Sequence, residues 1–371
     1  MARRRALLAN SLTSAVFVWL TLVSTSYAIH VETVLVDNAG SAADTTGYGA
    51  VAYEYRIGKY EITNAQYAGF LNAVDPNGLN AMSLYDSQMS SHVLGGLSFS
   101  SGNVAGAKYG VKSGRGENPV VFVSWYDAIR MANWMNNGQG NADTETGAYT
   151  LGALGADAVP VGGPGIARNA GARWYLPNEN EWYKAAYHQP FGQGGDGDDY
   201  WEYATGTNAI PYSTAPAGAA TPDPANAANY FYDDLGAAVG YNDGFAISGS
   251  YVYNSALNYL TEVGAYSEST SFYGTFDQNG NVSEWNERPF AGGANREIRG
   301  GSWAATGFFG PLFLSAQQSN GLNSATSSFA EIGFRLATIV PEPAAATLVV
   351  SALTLLWGRR GIRSAGERME A

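Results

Sequence analysis

Glycine, at 46 positions, is what most limits the folds open to this chain. It weakens the interior of helices and strands and favours turns. Long regular elements are therefore disfavoured, and the 24 tyrosines and nine tryptophans must build a core between short strands and ordered loops. The pattern is strongest from 190 to 260, where Gly, Ala, Asn, Asp and Pro dominate. Trp201, Tyr203, Tyr230, Phe231 and Tyr232 interrupt that stretch, so it reads as anchored loop and not as disorder. Asp196, Asp198 and Asp199 cluster in a Gly-rich turn there. They lack the full spacing and the closing Glu of an EF-hand loop, and read as a solvated turn.

Regular structure is signalled locally. Val51 to Gly58 alternates like a strand. Thr63 and Gln66 have the spacing of a capping box, and the helix behind them carries Tyr67, Phe70 and Leu71 on one face. Ser124 with Asp127 at the third helical position starts a second helix, with Trp125, Ala128, Ile129, Ala132 and Met135 at helical spacing. Asn178 with Glu181 starts a third, with Trp182, Ala185 and Ala186 turned inward. An acid in the first turn suits the positive end of the helix dipole. These aromatics read as core.

The two ends differ in kind from the middle. Arg3, Arg4 and Arg5 precede an apolar run from Ala6 to Val23, and Ser26-Tyr27-Ala28 is a small-x-small site. That order is the order of a secretory signal, with cleavage expected after Ala28. At the other end Val340-Pro341-Glu342-Pro343 precedes an apolar run from Ala344 to Trp357, followed by Arg359 and Arg360. The run is short against the roughly 20 residues that cross a hydrocarbon core. This tail resembles the PEP-CTERM sorting signal. The resemblance implies an exosortase that cuts near Pro341-Glu342-Pro343, a Gram-negative host that makes exopolysaccharide, and a transmembrane helix only in the unprocessed tail. The expected organisation is a signal peptide over 1–28, a lead-in over 29–52, one domain over 53–338 and the sorting tail over 339–371.

Seven of the 20 basic residues and two of the 32 acidic ones lie in the removable ends, which leaves 13 against 30 and a net charge of −17. Such a surface repels nucleic acid and anionic lipid. There is no cysteine, so disulfides, thiolate metal sites and thiol chemistry are all excluded. The three histidines, His30, His92 and His188, are scattered too widely for a shared metal centre.

Six segments of the middle, in order, resemble the formylglycine-generating enzyme family, the sulfatase-modifying factors. They are Ile57 to Tyr67, Pro119 to Ala128, Leu176 to Trp182, Gly280-Asn281-Val282-Ser283-Glu284-Trp285, Arg299-Gly300-Gly301-Ser302-Trp303, and Ile332-Gly333-Phe334-Arg335. The resemblance implies an α+β fold, irregular and loop-rich, related to C-type lectins. The family's enzymes hold copper with two cysteines shortly after the Gly-Gly-Ser-aromatic segment. Here that stretch runs from Trp303 to Pro311 with no Cys, His or Met, so no copper is expected, since copper(I) selects soft sulfur.

The resemblance further implies two structural calcium sites. One would use Asn229, Tyr230, Asp243 and Phe245. The other would use the carbonyls of Asn279, Gly280 and Val282 with the carboxylate of Glu284. Hard oxygen ligands of this kind suit calcium, although Asn and Asp also cap turns unaided. Trp303, Phe308 and Phe309 occupy the segment that lost its cysteines and are the candidate ligand contacts, with core packing as the alternative. Two functions follow as expectations. One is a non-catalytic binding or matrix module that meets exopolysaccharide or an envelope protein at the cell surface or outside the cell. The other is an enzyme of cysteine-independent chemistry on the same scaffold.

Overall fold

The computed structural model describes residues 28–217, 224–233, 244–290, 295–304, 310–318 and 323–341. They form an irregular mixed α/β fold in which short strands and three principal helices are tied by long loops.

Each of the three helices begins where its sequence signal lies. Asn64–Val74, Trp125–Asn136 and Glu179–Tyr187 are capped by Thr63, Ser124 and Asn178. In each, the cap side chain accepts from the backbone of the third helical residue, whose own side chain bonds back to the cap. Two first-turn N–H groups are thereby satisfied at each start.

One four-stranded antiparallel sheet has the order Thr33–Val36, Tyr55–Gly58, Ala337–Ile339, Trp174–Tyr175. Residues 29–52 are thus more than a lead-in, because Thr33–Val36 supplies an edge strand of this sheet. Alternation sorts its two faces. Ile57, Ala337 and Tyr175 are paired across three strands and buried. Leu35, Arg56, Thr338 and Trp174 form the neighbouring row on the outer face.

The second sheet has the order Asn323–Ser324, Asn295–Arg299, Ser283–Phe290, Ile332–Gly333, the last pair parallel. Its central pair shifts register between Trp285 and Pro289. Two tryptophans staple it to the second helix. Trp285 Nε1 donates to the Val123 carbonyl at 3.0 Å, and Trp125 Nε1 to the Asn286 carbonyl at 3.0 Å. Both rings are fully buried, and each polar N–H has the partner that burial demands.

The expected transmembrane helix needs correction. Among the described residues no helix is long and apolar enough to cross a membrane. The apolar runs 6–23 and 344–357 lie outside the described residues.

Candidate functional site

The turn before the strand Ser283–Phe290 organises the region where the sequence places its site residues. Gly280 has φ +85°, and a Cβ there would run into the backbone of Asn229, so glycine is required on both counts. Gly280 N donates to the Gly300 carbonyl at 2.8 Å, Asn281 N to the Asn229 carbonyl at 2.7 Å, and Trp303 N to the Asn281 carbonyl at 3.0 Å. Asn229, the 279–282 turn and the Gly-Gly-Ser-Trp segment therefore meet, although they are distant in sequence.

The calcium assignment does not survive this geometry. Among the described residues no group of three or more His, Cys, Asp or Glu side chains could hold a metal ion. The candidate ligands serve the protein instead. Arg335 donates through Nε to Glu284 Oε2 at 2.6 Å and through Nη2 to Oε1 at 2.6 Å, and Trp182 Nε1 adds a bond of 2.8 Å to Oε2. Both residues of this ion pair are fully buried, so the guanidinium already supplies the positive charge that Glu284 needs. The Asn229 amide donates to the Tyr259 carbonyl, and Asn279 accepts from Ala204 N and donates to the Leu314 carbonyl. The carbonyls of Asn229, Tyr230 and Phe245 accept backbone N–H groups. Val282 is buried in the main core, and Asp243 lies outside the described residues.

Two further acids crowd this core. Glu61 Oε1 accepts from Asn281 Nδ2 at 3.1 Å, and Asp277 Oδ2 from Gly264 N at 2.5 Å. Burial raises Glu61 well above the usual carboxylate range, and the Asp277 charge raises it further; Arg335 acts in the opposite direction. Burial likewise pushes Asp277 up to about 6, with Glu284 adding to the rise and Gly264 N and Arg335 opposing it. Two neighbouring buried carboxyls of this kind cannot both ionise cheaply, so burial and their mutual repulsion favour a proton on one of them.

Raised folded pKa values have a definite sign. The stabilisation is present in full below the unfolded values near about 4; the Asp277 share is lost as pH rises through about 6, and the Glu61 share as pH rises through its own raised value. Replacing Glu61→Gln removes one titration. The variant should therefore gain stability relative to the parent on going from about pH 4.5 to about pH 8. Urea melts at both values check it. An unchanged difference between variant and parent would refute the shared proton.

The segment carrying Trp303 enters an aromatic stack. The Trp303 ring lies 5.1 Å from Tyr259 at 15° and 6.0 Å from Tyr253 at 26°, and Tyr253 lies 5.5 Å from Tyr259 at 24°. Phe245 packs on Tyr259 at 4.8 Å and on Phe231 at 4.7 Å. Trp303 itself is buried, and its Nε1 donates to the Ala330 carbonyl at 3.2 Å. The outer ring is Tyr253, 44% exposed. Tyr251, Val252 and Leu257 are exposed beside it. The loop is held in shape: Asn254 N donates to the Tyr259 hydroxyl at 2.9 Å, and Asn254 Oδ1 accepts Ala256 N at 3.0 Å. Phe308 and Phe309 lie outside the described residues. Tyr251 and Tyr253 were missed in the sequence; the signal was a Tyr-Val-Tyr run inside an otherwise polar loop.

Solved structures and one family model resemble this chain. The solved structure described as CarF is 21% identical with a TM-score of 0.51, the match covering 84% of this chain and 99% of that one. Treponema denticola variable protein 1 is 18% identical with a TM-score of 0.45 over 85% and 98% of the two chains. PvdO from Pseudomonas aeruginosa is 15% identical with a TM-score of 0.40 over 84% and 92%. A search of curated proteins gave no match. The model of the sulfatase-modifying factor enzyme 1-like domain matches residues 37–340, and the chain belongs to that family.

Proposed function

We propose that this protein is a non-catalytic binding module in which the aromatic stack around Tyr253 is the ligand-facing surface. The chain has no cysteine, and so lacks the catalytic cysteines that formylglycine-generating chemistry uses. The observation that carries the reading is the exposed Tyr253, backed by Tyr259 and Trp303 in nearly parallel planes. A rigid aromatic face bordered by hydroxyl and amide groups suits stacking against the apolar face of a saccharide ring. Trp303 supports this surface from beneath, and the contact itself passes to Tyr253.

The reading extends to the cell. The leader over 1–28 directs export, and the Pro341-Glu342-Pro343 tail is the substrate of an exosortase-type enzyme. The mature chain works at the envelope, on the cell surface or outside a Gram-negative bacterium, with exopolysaccharide as its partner. A kinship of the fold with C-type lectins, which place recognition in loops on a rigid scaffold, is in keeping with this role. Binding of purified exopolysaccharide to the mature protein, and its loss in Tyr253→Ala, tests the proposal.

A further inference from the structure

Three of the described carboxylate-paired arginines are buried, Arg130 with Glu145, Arg299 with Glu179 and Arg335 with Glu284, while Arg168, with Glu181 and Glu287, and Arg288, with Glu297, lie nearer the surface. Arg56 and Arg173, like Arg115 elsewhere, have no carboxylate partner among the described residues. Both line one cleft of about 530 Å³ between the outer face of the first sheet and the end of the helix Trp125–Asn136. No Asp or Glu is among the described residues that line it. In a chain with 32 acidic residues and a net charge of −12, a cleft with two arginines and no carboxylate runs against the surface as a whole.

The register explains how the cleft is built. Arg56, Thr338 and Trp174 are cross-strand partners in one row on the sheet's outer face. Thr33 braces Arg56, accepting Nε at its Oγ1 at 2.8 Å and Nη2 at its carbonyl at 2.6 Å. No bond within the described residues is made by Nη1. The guanidinium is thus oriented in advance with a donor edge to spare, and a pre-organised fork suits a carboxylate. Trp174, half-buried, stands in the same row two strands away. Opposite stands the end of the helix, tied to this wall by Asn136 Oδ1, which accepts Arg173 N at 2.7 Å.

We infer that this cleft is a second binding site, for a carboxylate-bearing saccharide such as a uronic-acid oligomer. The carboxylate meets Arg56 and Arg173, and a sugar face stacks on Trp174. The cleft runs over the sheet face, from Thr33 on one edge strand to Trp174 on the other. The site is separate from the Tyr253 surface and does not depend on it.

The test is calorimetric titration of the mature protein with trigalacturonate and, in parallel, with a neutral galactose trimer. Binding of the acidic trimer alone is expected. Arg173→Gln, an exposed change, should weaken it roughly tenfold or more. Arg56→Gln should do the same while Tyr253→Ala leaves it unchanged. Equal binding of the neutral trimer would overturn the inference, as would no binding of trigalacturonate. Undiminished affinity in Arg173→Gln, whatever the fate of Arg56→Gln, would overturn it too.

Discussion

Arg335→Ala should destabilise the fold by about 3–5 kcal/mol, because it leaves the Glu284 carboxylate buried without its counter-charge. Glu284 is fully enclosed, so water cannot replace the guanidinium. The same change strips donors from the carbonyls of Gly58 and Phe276, which accept at 2.9 and 2.8 Å. Arg335 therefore joins the end of one sheet to the first residues of the central strand of the other. A domain's whole stability is about 5–15 kcal/mol, so much of the variant should be unfolded or degraded in the cell. Urea unfolding followed by circular dichroism measures the loss. Arg335→Met combined with Glu284→Gln removes both charges together and should recover much of it. A loss below about 1 kcal/mol in Arg335→Ala would mean that the pair is not the tie described here.

Trp303→Ala should cost about 3–5 kcal/mol as well, by a different route. The indole fills the base of the stack against Tyr259, Tyr253 and Phe245. Its removal leaves a cavity that loops pinned by backbone bonds cannot readily close, and orphans the Ala330 carbonyl. The urea midpoint should fall with an unchanged slope. Trp303→Phe, which keeps a ring and loses the N–H, should retain more of the stability than the alanine variant. If Trp303→Ala melts like the parent, the ring is not part of the support for Tyr253.

The helices were legible because their signals are local. Thr63 with Gln66, Ser124 with Asp127 and Asn178 with Glu181 each lie within a single turn. The six family segments were equally legible, since each is contiguous. The strand Thr33–Val36 was not, being a run of four residues whose identity depends on pairing with Tyr55–Gly58. The calcium reading failed for a related reason. An Asn-and-carbonyl turn closed by Glu284 looks the same whether a cation or a guanidinium completes it, and the group that does so, Arg335, lies 51 residues further on. The aromatic stack was only partly visible. Phe245 lies in a two-residue strand and Tyr253, Tyr259 and Trp303 in irregular loops without a common period, so of the four only the buried Trp303 reads as a ligand contact in the sequence, and its exposed neighbour Tyr253 does not.

The account's central claim is that Tyr253 on its aromatic support binds a saccharide without chemistry. The most direct measurement is isothermal titration of the mature protein with size-defined exopolysaccharide fragments, set beside Tyr253→Ala. The parent should bind, and the variant should bind at least about tenfold more weakly, a difference of about 1.4 kcal/mol, with its melting temperature close to the parent's and the fragments recovered intact. Equal affinity in the two proteins, or conversion of the fragments by the parent, would contradict the claim.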